Sequence, residues 1–128
     1  MPANVSKAQL WGGRIATALP VLMLVVSATM KFAQPPAFVE SFKAFGYPLH
    51  LAMVIGSIEL LCTIIYLIPR TSVLGAILLT GYLGGAVATH VRVLDPSFIG
   101  PLSFGILVWV GLYLRDPRIR ALIPIVSS

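Results

Sequence analysis

Charge is what this sequence has least of. Only 10% of its 128 residues are charged and only four are acidic, whereas 58% are hydrophobic. A soluble domain of this length needs more polar surface than that to face water. The composition therefore excludes an ordinary soluble globular protein and predicts an integral membrane protein.

Cysteine is almost absent as well, because Cys62 is the only one in the chain. A disulfide relay within one chain needs two thiols, so this chemistry is excluded, and four-helix thiol oxidoreductases with a CxxC pair are poor matches. We interpret Cys62 as a small core residue. The sequence also lacks a glycine-rich phosphate loop and the ligand spacing of a zinc site, so no metal site is predicted.

What the chain does have is long apolar runs. A helix needs about 20 apolar residues to cross a hydrocarbon core of ~30 Å. Four runs approach that length, at approximately 13–30, 49–68, 72–91 and 98–114. Their connections are short, which makes consecutive helices antiparallel neighbours. We predict an all-α fold: an integral membrane four-helix antiparallel bundle forming a single domain over residues 1–128.

The basic residues indicate an orientation. Counted by side of the membrane, they divide into Lys7, Arg14, Arg70, Arg115, Arg118 and Arg120 against Lys31, Lys43 and Arg92. The excess predicts a multi-pass protein of a bacterial-type cytoplasmic membrane with both termini in the cytoplasm. These residues form no continuous stripe, so we expect no nucleic-acid partner despite the net charge of +5. An alternative is that the first run is a signal peptide cleaved near Val26-Ser27-Ala28.

A short helix is predicted between the first two spans. Pro36 suits a first helical position, Gly46 suits the end, and Phe38, Phe42 and Phe45 share one face at i, i+4 and i+7. We expect this helix to lie in the membrane interface, with its aromatic face toward lipid or toward the mouth of the bundle. The alternative is a simple capping loop.

Glu59 is the first candidate for a functional residue. It lies near the middle of the uncharged run 49–68, where an ionisable group is costly. Glu59 shares one helical face with small and polar residues at i−7, i−3, i+4 and i+7, namely Ala52, Gly56, Thr63 and Tyr66. That face is predicted to point into the bundle. Glu59 either binds a ligand or relays protons, or it is a structural polar group bonded to Thr63, Tyr82 or a buried water.

Other candidate ligand-binding or proton-relay residues follow from their depth along the predicted spans. About ten residues, or ~15 Å, inward from the outer ends lie Glu59, Tyr82 and Trp109. Nearer the outer rim are His90, Lys31 and Arg92. His90 is the candidate proton switch among them, whereas Lys31 and Arg92 could extend inward or simply snorkel and set topology.

Glycines predict where helices approach closely. The third span carries Gly81, Gly84 and Gly85, and single glycines lie at Gly56 and Gly105. Small residues at such spacings let another helix pack against the backbone. We expect these five positions to be packing sites within the bundle or against another subunit.

Several short motifs resemble the DoxX-like family of membrane proteins. They are Lys31-Phe32, Phe45-Gly46-Tyr47-Pro48, Gly56-xx-Glu59-Leu60, Gly75-Ala76 and Gly85-Ala86-xxx-His90. The resemblance covers nearly the whole chain and implies a four-helix membrane bundle, often associated with redox complexes. One related branch is a membrane subunit of a thiosulfate:quinone oxidoreductase, and other relatives are assembly factors.

Two functional hypotheses follow. In the first, the chain is a non-catalytic or accessory subunit that holds a quinone or another lipid-soluble molecule in a cavity lined by Glu59, Tyr82, His90 and Trp109. In the second, it is an assembly factor or partner module that contacts other membrane subunits or its own copies, and Glu59 only secures the fold. A stand-alone enzyme and a channel are less favoured, because four short-looped helices offer few reactive groups and little pore.

Overall fold

The computed structural model describes residues 5–126, and every regular element in that range is helical. Its six α-helices are α1 (Lys7–Ala33), α2 (Pro36–Ala44), α3 (Leu51–Leu67), α4 (Ser72–Arg92), α5 (Ile99–Arg115) and α6 (Pro117–Leu122). Single 3₁₀ turns at Pro69–Thr71 and Pro96–Phe98 lead into α4 and α5. The predicted all-α fold is confirmed.

The four longer helices form a ring in which α1 packs on α3, α3 on α4, α4 on α5, and α5 back on α1. Neighbours run antiparallel. Thr17 in the first half of α1 meets Tyr66 near the end of α3, whereas Lys31 near the end of α1 meets Glu59 at the middle of α3. We call the end that carries Arg14 and Arg115 the basic end, and the opposite end, next to α2, the α2 end.

Three segments of the described chain have the length of a membrane span. Lys7–Ala33, Pro69–Arg92 and Pro96–Arg115 are long and apolar enough to cross a bilayer. Helix α3 has 17 residues and so a length of about 25 Å, near the lower limit for a span. It begins later than predicted because the Leu51 amide bonds back to the Pro48 carbonyl in a turn.

Helix α1 is longer than its predicted span. It begins at Lys7, where Ser6 caps the helix: its side chain accepts from the Gln9 amide, and the Gln9 side chain accepts from the Ser6 amide. This reciprocal cap satisfies two backbone groups that the helix start would leave free. Apolar periodicity alone could not locate this start, because the first turn is polar.

The predicted short helix is present as α2, with Pro36 as its first residue. Gly46 follows the end of the helix with a φ of +89°, a backbone conformation that residues with a side chain rarely adopt. The Phe42 ring is buried and stacks on Phe38 at 5.1 Å and on Tyr47 at 5.2 Å between ring centroids. The aromatic face of α2 is therefore turned toward the bundle.

The closest contacts between helices lie at Gly75 and Gly111, which are not among the five glycines predicted to be packing sites. A Cβ atom on Gly75 would lie 2.3 Å from the Tyr66 backbone nitrogen, and one on Gly111 would lie 2.4 Å from Thr17 Oγ1. Gly56 does fulfil the prediction, because its Cβ would lie 3.0 Å from that of Lys31. Gly105 makes only ordinary contact, at 3.9 Å from Leu83.

The predicted packing of Gly81, Gly84 and Gly85 on another helix of this bundle is wrong for the described residues, among which a Cβ on any of the three would meet no atom within 4 Å. The buried face of α4 carries Ala76, Leu79 and Leu83. At ~100° per residue the three glycines fall on the opposite side. Counting small-residue spacings identifies a stripe but not the direction in which it faces.

Candidate functional site

Glu59 lies on the inner face of α3. Ala52, Gly56, Glu59, Thr63 and Tyr66 are all buried, which confirms the inward face predicted from their spacing. Glu59 itself is only 2% exposed. A carboxyl group so deeply buried in an apolar bundle needs a compensating partner.

Lys31 is that partner. Its Nζ donates to Glu59 Oε1 at 3.0 Å and to Ser27 Oγ at 2.7 Å, and its side chain is 12% exposed. The missing side chain of Gly56 lets α1 approach α3 at this level. Lys31 is thus turned inward, which is the first of the two alternatives given for it, and does not snorkel at the rim. Opposite charges attract strongly in a medium of low dielectric constant, and this attraction offsets part of the cost of burial.

The hydroxyl groups around the pair differ from those expected. Thr63 Oγ1 donates to the backbone carbonyl of Glu59 at 2.8 Å, so it bonds the helix backbone and not the carboxylate, as threonines in helices commonly do. Ser27 was not predicted. Its only sequence signal is the i, i+4 spacing to Lys31, which places both side chains on one face of α1.

Two cavities meet at this ion pair. The inner cavity, of about 180 Å³, is lined by Glu59, Ser27 and residues of α1, α4 and α5. The outer cavity, of about 410 Å³, lies under α2 and is lined by Phe38, Phe42, Phe45 and residues of α3 and α4. Both cavities share Lys31, Tyr82, Ala86 and His90. The structure thus brings four of the predicted site residues, Glu59, Tyr82, His90 and Lys31, to one place.

His90 has a defined tautomer when neutral. Its Nδ1 lies 2.7 Å from the Ala86 carbonyl oxygen, which can only accept, so Nδ1 carries the proton. Nε2 of the neutral ring is then a hydrogen-bond acceptor. The ring also packs against Phe45, with centroids 4.7 Å apart.

Polar contacts join the end of α2 to α4. The Arg92 guanidinium donates to the Phe45 carbonyl, and the Tyr47 and Thr89 hydroxyls lie 2.7 Å apart. Arg92 therefore lines neither cavity and instead holds the chain that covers the outer one. These contacts place the Phe45 ring beside His90.

Trp109 lies apart from Glu59, which corrects its predicted position. Its indole nitrogen donates to Thr80 Oγ1 at 2.7 Å, in an apolar groove of about 490 Å³ between α4 and α5. The preceding residue, Val108, is fully buried and its carbonyl accepts from the Tyr66 hydroxyl. A step of ~100° around α5 turns Trp109 away from the bundle axis.

Comparison with known proteins identifies the family. A sequence model of the DoxX-like family matches residues 15–111, which is more than half of the chain. The chain belongs to the DoxX-like family. The matched range of this DoxX-like membrane protein holds all the residues that line the two cavities, whereas α6 lies beyond it. No curated protein and no solved structure matches the chain.

Proposed function

We propose that this DoxX-like protein binds a small lipid-soluble molecule with a polar head, of the quinone class, as an accessory subunit of a membrane redox system. The observation that carries this proposal is the buried Lys31–Glu59 pair at the junction of two cavities, one of them lined by aromatic rings. Intramembrane ionisable residues that face a cavity are commonly functional.

The size and lining of the cavities support a ligand of this kind. Small-molecule sites enclose about 300–1,000 Å³ and are mostly apolar with a few convergent polar groups. The outer cavity of about 410 Å³ falls in this range, and its walls combine phenylalanines with His90, Tyr82 and Lys31. A planar head group would stack among the rings, while an apolar tail leaves toward the membrane.

The polar groups offer both kinds of hydrogen bond that a quinone and its quinol need. Lys31 uses two of its three N–H groups on Ser27 and Glu59, which leaves one for a carbonyl oxygen. Neutral His90 offers Nε2 as an acceptor for a quinol hydroxyl. Reduction of a quinone to its quinol takes up two electrons and two protons, and Glu59 would pass on one of these protons. Electrons would come from another subunit, because the single Cys62 provides no dithiol.

Ligand-dependent thermal unfolding in detergent tests the proposal. We expect a short-chain quinone at 100 times its Kd to stabilise the wild type by about 2.7 kcal/mol. Glu59→Gln should lose most of this stabilisation, measured against its own ligand-free baseline. Glu40→Gln, an exposed carboxyl at the same end of the bundle, should retain it. An undiminished quinone effect in both Glu59→Gln and Lys31→Met/Glu59→Gln would rule the site out.

A partner module is the second candidate function. The exposed glycine face of α4, at Gly81, Gly84 and Gly85, favours it because such faces let a helix of another chain pack closely. Gly81→Leu discriminates best, since Gly81 lines neither ligand cavity, whereas Gly85 lines the outer one. Loss of co-purifying subunits with an unchanged quinone effect would support the partner module, and the reverse pattern would support the ligand site.

A further inference from the structure

A groove at the basic end combines cations with a long apolar floor. It has a volume of about 570 Å³ and is lined by Arg14, Arg115 and Thr17 at one end, by apolar residues of α1 along its length and by Leu67 of α3. On α1 it extends from Arg14 to Val25, a rise of ~16 Å. It shares no lining residue with the two cavities that meet at the Lys31–Glu59 pair.

The other two arginines at the C-terminal side of this end already have partners. Arg118 binds the Asp116 carboxylate through Nη2 at 2.7 Å and Nε at 3.0 Å. Arg120 Nη1 donates to the carbonyl oxygens of Tyr113 at 2.7 Å and Leu114 at 3.2 Å. The Asp116 carboxylate, which directly follows Arg115 in the chain, is therefore already bound by Arg118. Neither Arg118 nor Arg120 lines the groove.

Arg115 is short of hydrogen-bond acceptors. Nε donates to the Gly111 carbonyl at 3.2 Å, and the guanidinium lies 5.8 Å from the Tyr66 ring centroid. Its Nη2 is buried and has no partner among the described residues. An unpartnered buried donor is costly, so an acceptor supplied from outside the chain would relieve this cost.

Arg14 completes the cationic end of the groove. Its guanidinium lies 5.0 Å from the ring centroid of Trp11, an exposed aromatic of the kind that is common at membrane interfaces. No carboxylate binds Arg14 in the range 5–126, where the two ion pairs are Lys31–Glu59 and Arg118–Asp116. Two guanidinium groups at one end of the groove thus have spare donors.

We propose that this groove is a binding site for one anionic phospholipid. The headgroup phosphate accepts from Arg14 and Arg115, and an acyl chain lies along the apolar floor formed with Val21, Val25 and Leu67. Guanidinium forks match phosphate oxygens in geometry as well as charge. The length of the floor and the position of both cations at one end favour a lipid over a free anion.

Thermal unfolding in a neutral detergent, titrated with phosphatidylglycerol, tests this site. We expect phosphatidylglycerol to raise the unfolding temperature, and phosphatidylcholine or inorganic phosphate at equal concentration to leave it unchanged. Arg14→Gln should raise the concentration at half effect about fivefold. Ala18→Trp, which fills the groove without removing charge, should abolish the effect.

Two matched variants serve as controls. Arg70→Gln removes an exposed cation at the same end. Leu19→Trp places the same large side chain one residue along α1, and neither position lines the groove. Both should respond to phosphatidylglycerol like the wild type. An equal response to phosphatidylcholine, an equal response to inorganic phosphate, or an equal loss in Arg70→Gln and Arg14→Gln would each overturn the proposal.

Discussion

At the scale of single residues, Glu59 and Lys31 depend on each other. Both side chains are buried in an apolar bundle, and each is the other's only oppositely charged partner in the described part of the chain. Removing one partner of a buried pair leaves an uncompensated charge, whereas removing both removes the cost together with the attraction. A buried pair of this kind is therefore weak evidence for a net gain in stability.

A double-mutant cycle measures this dependence. We predict that Lys31→Met lowers the free energy of unfolding by about 3 kcal/mol, and that Lys31→Met/Glu59→Gln is more stable than Lys31→Met alone. Denaturant unfolding in mixed micelles gives these values. The control cycle, Lys43→Met with Glu40→Gln, uses exposed residues and should be additive. Additivity in the Lys31–Glu59 cycle as well would show that the two charges do not interact.

Asp116 gives α6 a pH dependence. Its side chain accepts from the Arg118 amide and guanidinium, and these hydrogen bonds hold its pKa below the usual range. A lowered folded-state pKa stabilises the folded form above the unfolded pKa of about 3.9 and loses that effect as pH falls through the folded value. We predict that the methyl signal of buried Ile119 broadens below about pH 4. Asp116→Asn should show the change already at neutral pH; the same titration in both proteins would contradict this role.

At the scale of elements, the α3–α4 contact is set by one glycine. A Cβ on Gly75 would lie 2.3 Å from the Tyr66 backbone, so neither side can yield by a rotamer change. Gly75→Ala should therefore destabilise the bundle by about 1–3 kcal/mol or more. Gly84→Ala, in open space on the same helix, should stabilise it by up to ~1 kcal/mol through helix propensity. Thermal unfolding of both variants checks this, and equal effects would contradict the close contact.

Two polar contacts join the end of α2 to α4: Arg92 donates to the Phe45 carbonyl, and the Tyr47 hydroxyl bonds that of Thr89. Tyr47→Phe should remove about 1 kcal/mol of local stability. We expect faster hydrogen exchange over residues 36–47 with little change in α3 or α5. Tyr113→Phe, which leaves this contact intact, serves as the control. Unchanged exchange in Tyr47→Phe would show that the Tyr47–Thr89 contact does not hold α2 in place.

The sequence predicted the positions of the helices along the chain better than the direction in which each helical face points. Pro36 and Gly46 located α2, and the small and polar residues around Glu59 identified the inner face of α3. Gly81 and Trp109 were misplaced because depth along a helix is readable from apolar runs, whereas the angle around it depends on which neighbours pack there. The partner of Glu59 was uncertain for a related reason, since a lysine side chain can extend inward or outward from the same backbone position.

At the scale of the whole molecule, the connections between the antiparallel helices alternate between the basic end and the α2 end. Residues Ser6 and Arg70 lie at the basic end, and Ser97 lies at the α2 end. The excess of Lys and Arg at the basic end predicts that this end faces the cytoplasm.

Labelling intact cells with a membrane-impermeant maleimide checks both statements. Ser97→Cys should react in intact cells, whereas Ser6→Cys and Arg70→Cys should react only after permeabilisation. Cys62 is buried, so the wild type provides the unlabelled background. Labelling of Ser97→Cys and Arg70→Cys from the same side would contradict a bundle that crosses the membrane between these two ends.

Photo-crosslinking would locate the quinone-like molecule that we propose binds in the cavity beside Lys31 and Glu59. An azido-quinone would be activated in purified protein and the modified peptides mapped by mass spectrometry. We predict labelling of α2 and of α4 between Tyr82 and His90, which unlabelled quinone suppresses and Glu59→Gln weakens. Labelling confined to the groove around Trp109, or unaffected by competitor, would contradict the account.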